Sequence, residues 1–175
     1  ATFAFAAGQD VWYGLNFQLS TVSGATSCDF IAGMMDAWND ITPTDGVWFN
    51  KPQNSAVLSL KITNAGTSTT ITIGTLVAAT AYTIGFYYSG SSSTPTLSAF
   101  ATIPYAAGTL TKPNPYWPGG PLIAASAYSG GTNTLANLPA VGTLLSPGFG
   151  IQSGTTAAQT NIVDYMFAGQ TINRY

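Results

Sequence analysis

The sequence contains no histidine, a single cysteine (Cys28), and charge on only 6% of its residues. An ordinary soluble domain carries about 25%. The acidic side chains are all aspartates: Asp10, Asp29, Asp36, Asp40, Asp45 and Asp164. The cations are Lys51, Lys61, Lys112 and Arg174. Without histidine, neither a Ser–His–Asp triad nor a Cys–His pair can be assembled, and zinc sites of the usual kind are excluded. Four scattered cations cannot form the basic surface that phosphates require, so nucleic acid is not an expected partner. One cysteine rules out an internal disulfide framework. No run of about 18 apolar residues occurs, and the period-two segments lack the lipid-facing band of a barrel, so membrane insertion is not expected. Residues 1–10 show neither a basic n-region nor a long apolar h-region, so a secreted chain would have lost its signal before Ala1. None of the ten asparagines falls in an N-x-S/T sequon.

What remains still folds: 46% of the residues are hydrophobic and 13% aromatic, unlike the apolar-poor, charge-rich profile of disordered chains. Val11, Tyr13, Leu15, Phe17 and Leu19 alternate with Trp12, Gly14, Asn16 and Gln18, the period of a half-buried strand. AVLSLKIT (56–63) alternates in the same way, NAG (64–66) reads as a hairpin loop, and TTITIGTLVA as the returning strand. Further strands are expected at 47–49, 81–90, 96–105, 121–129, 141–146 and 161–168. SPGFGIQSGTT reads as loop. In SCDFIAGMMDAWND (27–40), Phe30, Met34 and Trp38 recur every four residues behind the capping candidates Ser27 and Asp29, which predicts one short helix near 29–39. The expected fold class is all-β: a single β-sandwich, jelly-roll or immunoglobulin-like, with that helix and an N-terminal strand arm. The arm is residues 1–8 and the sandwich domain 9–175.

Chemistry-bearing groups are few. Asp36 and Asp40 would lie four apart on a helix face, where a solvated surface accounts for them. Asp40, Asp45 and the carbonyls of ITPTDG offer oxygens for calcium, but without EF-hand spacing, and Asp45–Gly46 reads as a β-turn. Cys28 reads as a small buried hydrophobe. Tyr116 and Trp117 of PYWPGG (115–120) present flat faces suited to a sugar platform or a secondary contact between subunits. Neither enzymatic activity nor a cofactor is expected.

The arm is the most informative segment. Ala1, Phe3, Phe5 and Ala7 form an apolar row that needs a partner sheet, and Gly8 allows the chain to turn away. That sheet belongs either to the same domain or to a second copy. In the second case Ala1, Phe3, Phe5, Ala7 and Gly8 form the polymer interface, through main-chain bonds and alternate side-chain pockets. A head-to-tail contact of this kind builds filaments. The charge-poor surface is readily desolvated and favours packing against copies of itself.

An apolar arm ahead of a Ser/Thr-rich sandwich, carried by Ala1–Gly8 and AVLSLKITNAGTSTTITIG (56–74), resembles the donor-strand-complemented extracellular filaments of archaea and bacteria. The absence of sequons departs from their heavily N-glycosylated members. The resemblance implies a pilus-like structural subunit at the cell surface whose partners are copies of itself, with surface glycans as a further target. Two alternatives fit the composition: a viral capsid or decoration protein, and a secreted carbohydrate-binding or adhesin domain. In the filament reading, replacing Phe3 and Phe5 by Asp is expected to abolish assembly and leave the domain folded.

Overall fold

A computed structural model describes residues 2–38, 42–90, 95–101, 137–153 and 159–171. Within these residues the strands are β1 (Asp10–Leu19), β2 (Cys28–Met35), β3 (Gly46–Lys51), β4 (Val57–Asn64), β5 (Thr67–Thr75), β6 (Ala81–Ser89), β7 (Thr96–Ala101), β8 (Ser146–Ser153) and β9 (Asn161–Gln170). They form a four-stranded sheet in the order β7-β6-β1-β9 and a five-stranded sheet in the order β5-β4-β3-β2-β8. All pairings are antiparallel. The sheets enclose one core, so the all-β sandwich is as the sequence predicts.

Alternation builds that core. Val11, Tyr13, Leu15, Phe17 and Leu19 of β1 face Phe30, Ala32 and Met34 of β2 and Val47 and Phe49 of β3, all buried. Phe17 stacks on Phe30 across the layers with ring centroids 4.4 Å apart. Ala65 and Gly66 adopt φ of 47° and 78° between β4 and β5. Two consecutive left-handed residues give the tight hairpin expected of NAG.

Two expectations are corrected. No helix occurs over 29–35, because this stretch lies within β2. A spacing of four is also two strand periods, so Phe30 and Met34 share a face in either conformation. The even-numbered residues enter the main core, while Ile31 and Met35 form a second cluster with Trp48, against which Trp38 packs. A strand buried on both faces loses its polar alternation and reads as a continuous apolar run. Asn39 lies outside the described residues.

The second correction is β8. SPGFGIQS forms a strand, whereas the stretch predicted at 141–146 lies mostly ahead of it, in a turn. Gly148 is small because the Trp38 ring lies over it: a Cβ there would meet that ring at 2.8 Å. Gly150 sits against Ile31, and Pro147 occupies a strand at the end of its sheet, where proline is tolerated. The two glycines of this strand thus serve its outer-face packing. The strand expected at 121–129 lies outside the described residues, as does the end of that expected at 96–105.

Candidate assembly site: the N-terminal strap and the β8–β9 rim

The arm lies across one end of the sandwich and touches both sheets. Phe3 and Leu145 exchange two main-chain hydrogen bonds, each 2.8 Å, which ties the arm to the residue preceding β8. Two residues on, Phe5 enters the main core at 1% exposure. Its ring meets Tyr88 edge-on at 5.2 Å and Phe86 at 6.2 Å, both on β6 of the other sheet. Period-two alternation places Phe3 and Phe5 on the same side of the strand, and Phe3 packs half-buried against the same core.

The polar groups of the strap are also engaged. Gln170, at the end of β9, donates to the Ala4 carbonyl at 2.9 Å and to Gln9 Oε1 at 2.5 Å. Gly8 donates its N–H to the Gly90 carbonyl at 2.6 Å, and Gln9 to the Ala6 carbonyl at 3.2 Å. Gly8 has a φ of 78°, a left-handed turn that glycine makes without steric penalty. Gly90 is the floor on which this turn rests, since a Cβ there would collide with the carbonyls of Ala6 and Gln9. The sequence row of Ala1, Phe3, Phe5 and Ala7 flagged the arm; Gly90, Leu145 and Gln170, which form its seat, carried no local signal. Of the residues proposed for the interface, Phe3, Phe5 and Gly8 come together here, and Ala7 is exposed. Ala1, Tyr116 and Trp117 lie outside the described residues.

A second feature is the rim formed by β8 and β9, the end strands of their sheets among the described residues. Residues directly opposite one another share a face of the sheet. Phe149 and Ile151 stand opposite Ala32 and Phe30, and Met166 opposite Leu15, so all three face the inner side of the sandwich. Yet they are 41%, 37% and 39% exposed. Of the nine exposed large hydrophobics among the described residues, seven fall between Val141 and Met166, so exposed apolar surface concentrates along this side.

Other polar groups among the described residues make contacts that hold the fold. The Asp45 carboxylate accepts the Ala65 N–H at 3.1 Å and so fastens the β4–β5 hairpin. Lys51 is fully buried and donates to the carbonyls of Cys28, at 2.5 Å, and Pro52, at 3.1 Å. Burial lowers its pKa, and burial raises that of Cys28. Among the described residues no three Asp or Cys side chains gather as metal ligands, and no helix is long and apolar enough to cross a membrane. A shallow cleft lined by Thr42, Pro43, Trp48, Lys61 and Ser68 has Lys61 Nζ 4.9 Å from the centre of the Trp48 ring.

Comparison with protein-family models, with curated proteins and with solved structures finds no match to this chain.

Proposed function

We propose that this chain is a structural subunit that assembles with copies of itself into an extracellular, pilus-like filament by exchanging its N-terminal strand. The observation that carries this reading is the seat of the arm. Phe5, the Phe3–Leu145 bridge and the Gln170 contact with Ala4 are all made between residues 2–7 and groups outside the arm. A neighbour's identical arm can satisfy every one of them. Exchange therefore replaces each contact in kind, and Gly8 is the hinge that must open. Because one copy gives its arm to the next and receives from another, the contact is head-to-tail and propagates unless its rotation closes. The low charge of the chain leaves little repulsion between stacked subunits.

A second reading, a viral capsid or decoration protein, draws on topology. The pairing of β1 with β9 and β2 with β8 brings strands from the two ends of the chain side by side, as jelly-rolls also do, and jelly-rolls serve in capsids. Fold alone does not decide function. A carbohydrate-binding role would rest on Tyr116 and Trp117.

Electron microscopy of the purified chain, with and without excess synthetic peptide ATFAFAAG, separates these readings. Filaments that shorten as peptide occupies the seat support strand exchange. Closed shells favour the viral reading, and monomers insensitive to peptide remove the filament reading.

A further inference from the structure

The two rim strands are guarded differently. In β9 the ladder to β1 steps from Tyr165, opposite Asn16, to Val163, opposite Phe17, and skips Asp164. Asp164 is thus the extra residue of a β-bulge, exposed on an end strand. A bulge and a charge are two established devices against edge-to-edge pairing. β8 has neither, and its one edge-guarding residue is Pro147 near its start: from Gly148 to Ser153 it pairs with β2 in unbroken register, and Ser146–Ser153 contains no charged residue. Between residues 137 and 171 Asp164 is the only charge.

We propose that β8 is a second copy-to-copy contact, in which it pairs antiparallel with β8 of another copy about Gly150 and joins the two five-stranded sheets across a twofold axis. This rests on the reading of the chain as a self-assembling subunit and adds a contact separate from the arm. The occupant follows from charge and register. A charged partner strand would lose hydration against an edge that offers no counter-charge, whereas a second β8 brings none. Pairing about Gly150 sets Phe149 of one copy against Ile151 of the other, an aromatic–β-branched pair of the kind that stabilises antiparallel sheets. The same pairing covers two of the inner-face side chains that stand exposed in the single chain. β9 cannot substitute, because a β9–β9 contact would bring the two Asp164 carboxylates toward each other at the bulge.

The test separates the two contacts by fixing the arm at home. In the Phe3→Cys, Leu145→Cys variant a disulfide closes the bridged pair and prevents exchange. Sedimentation velocity of this oxidised full-length protein should show dimers. Adding Ile151→Lys should raise the dimer dissociation constant at least tenfold. Gln152→Lys, at an exposed position on the same edge, should do the same if Ile151→Lys fails to fold. An oxidised protein that stays monomeric, or a dimer indifferent to a folded lysine variant, overturns the β8 contact. Filaments that persist in the oxidised protein overturn arm exchange instead, so the two failures are distinct.

Discussion

Phe3 and Leu145 exchange both of their main-chain hydrogen bonds, N to O at 2.8 Å in each direction, although 142 positions separate them in the chain. This bridge fastens the strap to the five-stranded side of the sandwich, while Phe5 fastens it to the four-stranded side. Whichever chain supplies the arm, its seat is defined by these contacts.

The two phenylalanines should therefore behave differently on substitution. Phe5 lies in the core, so Phe5→Ala is expected to destabilise the domain by about 3–5 kcal/mol. Phe3 is half-buried, and Phe3→Ala should cost roughly 1 kcal/mol. Urea denaturation of each variant measures the difference. The sequence-based expectation that Asp at both positions leaves the domain folded is revised for Phe5, because a carboxylate at that depth has no partner.

Gly90→Ala tests the turn of the strap. The added methyl meets the Ala6 and Gln9 carbonyls, which are backbone and cannot swing aside. A loss of about 1–3 kcal/mol is expected, with faster hydrogen exchange at the Phe3 and Gly8 amides and little change in β3 and β4. Equal acceleration throughout would show that the strap does not yield separately.

Alkaline pH should unfold the protein through Tyr13. Burial pushes its hydroxyl far above the ordinary 10.0, and it donates to the Gly148 carbonyl at 2.8 Å. The unfolded chain ionises this tyrosine above pH 10.0 and the folded chain does not. Its contribution is thus complete below that pH and is lost above it, at about 1.4 kcal/mol per pH unit. Tyr88, raised by burial and then by Asp10, acts in the same direction. Lys51, lowered by burial, acts in the opposite one, its contribution complete above 10.5 and lost as the pH falls. Thermal melts from pH 8 to 11 should show a falling Tm that Tyr13→Phe flattens. Between pH 5 and 8, where histidine would titrate, there is none to do so.

Strands with one wet face were legible in the sequence, and those with special duties were not. β1 and β4 announce themselves because buried apolar residues alternate with outer ones that are mostly polar, such as Asn16 and Gln18 or Ser59 and Lys61. β2 is buried on both faces, so a four-residue spacing common to helix and strand stood in for the missing alternation. β8 was hidden by Pro147, Gly148 and Gly150, residues that ordinarily mark turns; here the two glycines make room for Trp38 and Ile31. The arm was visible as an apolar row, but its seat is assembled from Leu145, Gly90, Tyr88 and Gln170, groups far apart in the chain. No local pattern encodes such a convergence. The rim guard at Asp164 is a matter of register, which a single strand's sequence does not carry.

The most direct test of strand exchange is negative-stain electron microscopy of the Phe3→Cys, Leu145→Cys variant before and after reduction. An antiparallel hydrogen-bonded pair has Cα atoms about 5.5 Å apart, within the span of a disulfide, and the native Cys28 is buried away from solvent. With the bond closed the arm cannot leave its own domain. The account predicts no filaments in the oxidised protein and filaments once the bond is reduced. Equal filaments in both states would show that assembly does not pass through the arm.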